Sequence, residues 1–366
     1  MSVIIFVASA RDYHAMDWFH SIKSLCPNLR IAIATDLIEG EGFSKIVSHD
    51  DEVLLLFPLD KFLLSDQSGI GNLWRNIIKL AILPLLAFKL RSLSKSIENA
   101  VFHAHSMYYI MLCWLAGIKF IGTPMGSDVL VRPEHSRIYR FFTVRSLRAA
   151  SVITVDSIAL QEKIIQLCGV LSVVIQNGID TNSTRPARES RYKRSRVLSI
   201  RGCAPNYRIL ELLKARNRSA LMHPLNFIYP FQEREYHDII SSEFKEFDQD
   251  YGRVEKERMY QLLSDTLLVI SIPTSDSSPR SVYEAIFSGC CVAVSYGKWI
   301  EGLPKCMLSR LFVVDLESQS WFEDAILFAE NVTSIGFVPS VEAIKCFDEI
   351  ETMKSVCRQF YGVTKI

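Results

Sequence analysis

Short runs of β-branched and other apolar residues recur along the chain, with segments of helical apolar spacing between most of them. In the first half they fall at 3–7, 31–35, 53–57, 101–105, 120–123, 152–155 and 173–176. After a polar interval they restart at 197–200, 227–229, 267–272, 291–294 and 311–314. Near-continuous apolar strands alternating with helices predict a parallel sheet covered on both faces, a doubly wound α/β domain. The restart predicts a second one, and a length of 366 residues suits two domains.

The interval itself, residues 185–196, reads RPARESRYKRSR, with six basic residues, one acid and no apolar periodicity. It is the natural linker, solvated or in contact with a phosphate. The expected domains are therefore 1–184 and 197–340, joined by 185–196. A tail at 341–366 has helical spacing (Ile344, Phe347, Ile350, Met353, Val356, Phe360) and is expected to form a C-terminal helix able to pack back on the first domain.

Charge narrows the function classes. With 41 Lys+Arg against 40 Asp+Glu the chain has no global basic excess, so nucleic acid is not an expected partner. The nine cysteines show no metal-ligand spacing and read as core residues of a reducing compartment. The N-terminus has no basic stretch before its apolar run, and the longest apolar stretch, 80–88, is far short of the about 20 residues a bilayer span needs. The expected address is the cytoplasm, with peripheral membrane contact as an option. That option comes from 73–95, LWRNIIKLAILPLLAFKLRSLSK, an apolar core flanked by Trp74, Arg75, Lys79, Lys89, Arg91 and Lys95. Such a helix either lies in an anionic headgroup layer or is a core helix kinked at Pro84.

Parallel sheets place ligands beyond the carboxyl ends of their strands, and two such domains leave a cleft there. The most informative stretch is 251–295, YGRVEKERMYQLLSDTLLVISIPTSDSSPRSVYEAIFSGCCVAVS. A buried strand runs into a small polar loop with Asp276, Ser277 and Ser278, then into a helix carrying Arg280, Ser281 and Glu284. Hydroxyls, amides and a helix N-terminus suit a phosphate, and a carboxylate one turn along suits a ribose diol. The plain alternative is a serine cap and a solvated glutamate.

This segment resembles the donor-binding motif of the retaining GT-B glycosyltransferases of the family 4 type. Their E-x7-E pair corresponds to Asp276 and Glu284, with aspartate in the first place, and is followed by Ala285 and Gly289. Three further places resemble the same family: FHAHS at 102–106 followed by GTPMGSDV at 122–129, with Met125 where the family has histidine; SVITVD at 151–156 with QNGID at 176–180; and SIRGCAPNY at 199–207. The likeness covers about two thirds of the chain. It implies a GT-B architecture of two Rossmann-like domains, an N-terminal acceptor side and a C-terminal nucleotide-sugar side. It further implies a metal-independent retaining transfer from a nucleotide-diphosphate-sugar, with no other cofactor, to a glycan acceptor, a lipid-linked one of the cell surface. In that frame the first acid lies near the donor sugar, the second binds the ribose, and a basic residue after the strand contacts the diphosphate.

Arg201, directly after a buried strand, is the first candidate for the diphosphate, with Arg208 and Arg280 behind it. On the acceptor side, His103 and His105 share a face of one strand and suit an acceptor hydroxyl, a metal or a structural role. Gly126, Ser127 and Asp128 form a turn whose aspartate either orients the acceptor or caps a helix. His14 and Asp17 follow the first strand, where the segment RDYHAMDW lacks the Gly-Gly that many family members carry. Rival readings are a nucleotide-sugar 2-epimerase of the same fold, a two-lobed sugar-binding protein, and a degenerate glycosyltransferase.

Overall fold

In a computed structural model, described for residues 3–38, 47–62 and 69–363, the chain divides into two compact units. Met1–Gln176 with Thr352–Ile366 form one, and Asn177–Glu351 the other. Residues 1–2 and 364–366 of the expected outer domain segments, and the side chain of Leu73 in the expected interfacial helix, lie outside the described residues.

The first unit holds β1 (Val3–Val7), β2 (Arg30–Thr35), β3 (Glu52–Leu55), β4 (Ala100–His105), β5 (Phe120–Thr123), β6 (Val152–Val155) and β7 (Val173–Val174), in the order 3-2-1-4-5-6-7, all parallel. The second holds β8 (Arg196–Ser199), β9 (Leu225–Phe227), β10 (Gln249–Asp250), β11 (Thr266–Ser271), β12 (Cys291–Val294) and β13 (Leu311–Val313), in the order 10-9-8-11-12-13, also parallel. Both are the doubly wound α/β sheets that the apolar runs predict.

The reason lies in the period-two alternation of side chains along a strand. Val3, Ile5 and Val7 join one apolar cluster with Phe102 and Ala104, while Ile4 and Phe6 join another with Phe19 and Ile22. Leu198, Val269 and Val292 face one side of the second sheet; Val197, Leu268 and Cys291 face the other. Residues on both faces must be apolar, so the runs are continuous rather than alternating. Strand β10 has no such signal, because both of its residues are polar and exposed.

Two segments differ from expectation. The 185–196 run, though exposed over most of its length, is tied to the protein at several points. Its first residues complete a helix, Thr181–Arg188, capped by Asp180, whose carboxylate accepts from the Asn182 and Ser183 N–H groups at 3.0 Å. Arg194 then donates to the carbonyls of Leu263 (2.7 Å), Thr266 (2.9 Å), Ala187 (2.8 Å) and Ser288 (2.6 Å). Arg188 donates to that of Phe287 (3.0 Å). These arginines satisfy carbonyls at helix ends and at the start of β11, a use of basic residues that composition alone hides. The tail is two helices, Val341–Phe347 and Glu349–Phe360, because Asp348 leaves the helical conformation and accepts the Glu351 N–H at 3.0 Å. Ala343 and Phe347 join the core of the second unit, whereas Met353, Val356, Cys357 and Tyr361 pack with Ile4 and Phe6 of the first.

Gly69–Ser96 is one helix that continues through Pro84. Of the basic residues read as headgroup contacts, two are engaged with the protein instead. The Lys89 ammonium donates to the Leu56 carbonyl at 2.9 Å, and that of Lys79 lies 4.3 Å from the Tyr108 ring centroid. Burial pushes the Lys79 ammonium below its usual range, with Asp36 opposing the shift. Among the described residues, no helix is long and apolar enough to cross a membrane.

Candidate functional site

In each sheet the strand order reverses once, between β1 and β4 and between β8 and β11. Chains leaving those neighbouring strands diverge to opposite faces and open a crevice at the carboxyl edge. In the second unit the residues just past β8 and β11 include Arg201 and the loop with Asp276. The structure brings them together: Arg201 is ion-paired with Asp276, and its Nη1 donates to Ser281 Oγ at 3.0 Å. Both charged side chains are only 14 % exposed, and the guanidinium stands 5.0 Å from the Tyr207 ring centroid. Arg201 Nε is buried with no partner among the described residues.

Local sequence explains the approach. A Cβ on Gly202 would stand 2.5 Å from the Phe231 ring and 2.7 Å from the Tyr207 ring, so glycine lets both rings close over the turn after Arg201. Asp276 Oδ1 accepts the Ser278 N–H at 3.2 Å, closing an Asx turn, and the Ser278 hydroxyl lies 3.3 Å from that of Tyr283. The following helix, Arg280–Phe287, starts at Pro279, whose side chain makes no cap hydrogen bond. Arg208 adopts a left-handed backbone (φ 52°) at the start of the helix Ile209–Arg218, and its side chain has no hydrogen bond among the described residues.

Glu284 is not a solvated helix residue. It is 6 % exposed and accepts from the Tyr260 hydroxyl at 3.1 Å. The Lys256 ammonium is at 3.6 Å and Arg280 Nε at 4.0 Å, while Arg280 also reaches Glu349 at 3.2 Å. Burial first, and then the Glu284 charge, push the Tyr260 hydroxyl well above its usual range. Sequence reading missed Lys256 and Tyr260. Their signal is the four-residue spacing that puts both on one face of the helix Lys256–Ser264.

In the first unit His103 and His105 are fully buried at the end of β4. His103 has both nitrogens occupied, Nδ1 at 2.5 Å from the Tyr361 hydroxyl and Nε2 at 2.7 Å from Thr123 Oγ1, so its role is structural. His105 has no hydrogen-bond partner among the described residues and sits in an aromatic cage, with ring centroids of Phe6 at 5.4 Å, Trp18 at 5.3 Å and His14 at 6.0 Å. Burial lowers the His103 imidazole to about 3 and the His105 one well below its usual value, so both are neutral. Ser106 follows with φ 67° and ψ 155°, a conformation disfavoured for any residue with a Cβ.

Asp128 caps rather than reaches out. It accepts the Met107 N–H at 3.0 Å at the start of the helix Met107–Ala116 and pairs with Arg132 at 3.0 Å. Gly126 and exposed Ser127 open the short helix Gly126–Leu130. His14 lines a small pocket with Trp18, Thr123, Pro124 and Met125, whereas Asp17 is exposed and outside its lining. Asp36, the first residue past β2, is fully buried and accepts from the Tyr109 hydroxyl, and burial raises its carboxyl despite the Lys79 charge. The strand-end argument that singled out Arg201 applies equally to Asp36, but the polar segment after β1 drew the reading elsewhere.

No protein-family model and no curated protein sequence matches the chain. Solved structures do. Anabaena HepE in complex with UDP and glucose aligns at a TM-score of 0.69 with 16 % identity, over 99 % of this chain and 100 % of its own. Sucrose-phosphate synthase from Thermosynechococcus elongatus aligns at 0.71 with 10 % identity, and the lipopolysaccharide outer core galactosyltransferase WaaB at 0.65 with 10 %, each over 99 % of this chain and 100 % of its own. The two parallel α/β units thus have the fold of the GT-B glycosyltransferases.

Proposed function

We propose that the protein is a metal-independent, retaining glycosyltransferase that moves a sugar from a nucleoside diphosphate to a glycan acceptor. The observation that carries this reading is the pairing of Arg201 with Asp276 and Ser281 at the strand-order reversal of the second sheet, with buried Glu284 on the helix that follows. In this reading Glu284 accepts hydrogen bonds from the ribose diol. Arg201, supported by Arg208 and Arg280, faces the diphosphate, and Ser277, Ser278 and Ser281 supply hydroxyls and amides. Asp276 holds Arg201 and faces the donor sugar. UDP is the nucleotide to test first, because HepE was crystallised with it and with UDP-glucose.

As the bond from the anomeric carbon to the diphosphate breaks, charge grows on the leaving oxygen, where a preorganised cation lowers the barrier. The acceptor oxygen bonds to that carbon on the same face, and its proton passes to the leaving phosphate oxygen. No separate base is then required. His14, Gly126 and Ser127 form the acceptor side, with Asp128, His103 and the caged His105 holding its framework. A lipid-linked acceptor fits the outer face of the helix Gly69–Ser96, where Ile77 (49 %), Leu80 (69 %) and Phe88 (72 %) are exposed.

The test is product analysis by NMR with UDP-sugars and glycan acceptors. A product that keeps the donor's anomeric configuration, with turnover falling about 100- to 1,000-fold in Arg201→Ala, is expected. A soluble sugar product formed without acceptor, or wild-type turnover in the variant, contradicts it.

A further inference from the structure

The amino edge of the second sheet, opposite the site just described, carries a second feature that donor chemistry does not use. A cavity of about 580 Å³ opens there, lined by residues just ahead of β8, β9, β12 and β13. Its basic lining is Arg188, Lys193, Arg194, His223 and Arg310 against one carboxylate, the exposed Glu330. With six residues in β11, the cavity is separated from the carboxyl edge by about 20 Å.

The arginines there are not the usual paired kind. Arg310 is 3 % exposed, and the sole hydrogen bond of its guanidinium among the described residues goes to the Ile335 carbonyl, with the guanidinium 5.5 Å from the Phe337 ring centroid. Arg188 spends one nitrogen on the Phe287 carbonyl. Arg194 is held by four carbonyls, which fix its position and leave its charge intact. Among the described residues none of the three is within ion-pair distance of a carboxylate. Buried or half-buried cations are ordinarily paired, because removing them from water is costly. Here three of them meet at a hollow with room for a small molecule, an arrangement of charge that an anion complements. Forked guanidinium donors match phosphate oxygens better than any other common group.

We infer that this cavity binds the phosphoryl group of a small soluble molecule, at a site separate from the one that takes the donor. Arg310, Arg188 and Lys193 grip the phosphate, and Arg194 supplies a fixed positive charge behind it. The remaining volume exceeds a phosphate ion and accommodates a sugar-sized moiety attached to it.

The test is calorimetric titration of the full chain, at constant ionic strength, with inorganic phosphate, with a hexose 6-phosphate and with the free hexose. Saturable binding of the phosphorylated probes but not of the hexose is expected, and the tighter of the two identifies the source of the phosphoryl group. Arg188→Gln and Lys193→Glu should each weaken it at least tenfold, while Arg201→Ala leaves it unchanged. Lys193 is exposed, so its variant keeps the test valid if Arg188→Gln does not fold. Absence of saturable binding, wild-type affinity in both cavity variants, or loss confined to Arg201→Ala overturns the proposal; the last outcome would put the anion in the donor site.

Discussion

The Arg201 guanidinium is held by Asp276 and Ser281 and stacked near Tyr207, so its charge is in place before any ligand arrives. Preorganisation of that kind is why removing one such group costs as much as the loss predicted for Arg201→Ala: the cation does not have to be gathered from solvent when charge develops. Arg201→Lys should recover only part of the turnover, since an ammonium cannot make the forked contact to both Asp276 and Ser281. Arg201 was legible in the sequence because a basic residue directly after a buried run has one place to point. The environment of Glu284 was not, because burial by Tyr260 and Lys256 depends on how a neighbouring helix packs. Asp128 and His103 show the same limit: both are buried polar residues at strand or helix ends, and only their partners reveal a structural task.

At the scale of elements, strands were readable and their punctuation was not. Continuous apolar runs gave the buried strands of both sheets to within a residue or two, while β10, the helix Thr181–Arg188 and the break at Asp348 rest on backbone partners that composition does not encode. Strand β4 carries a pH consequence. Its two buried histidines are neutral when folded, with His103 near 3, whereas unfolded imidazoles protonate below about 6.5. The unfolded chain therefore binds more protons below that pH. Stability is full above about pH 6.5 and falls as the pH drops toward 3, by up to about 1.4 kcal/mol per pH unit for each histidine. Urea unfolding between about pH 7 and pH 5 should show this slope, and His105→Phe should flatten it; an unchanged slope in that variant contradicts the assignment. The helix Gly69–Ser96 makes the other prediction at this scale. Its exposed Leu80 and Phe88 should insert into anionic vesicles, so Leu80→Glu with Phe88→Glu should reduce vesicle co-sedimentation several-fold, and equal sedimentation would mark the helix as a purely protein-facing element.

For the whole molecule, two sheets with the same logic divide the work proposed here: one reversal point holds a cation and buried carboxylates, the other a caged histidine and a small pocket. The similarity to HepE and sucrose-phosphate synthase spans nearly all of the chain at 16 % and 10 % identity, so the fold is shared while the side chains at the site must be judged on their own. The central claim is that the reversal point of the second sheet binds a nucleoside diphosphate through Glu284 and Arg201. Calorimetric titration of UDP and UDP-sugars into the wild-type protein and into Glu284→Ala tests it most directly. The account predicts saturable binding by the wild type and an at least tenfold weaker dissociation constant in the variant, as expected when a buried carboxylate that receives a diol is removed. Equal affinity in the two proteins, or uptake of free sugars with none of any nucleotide, would contradict it.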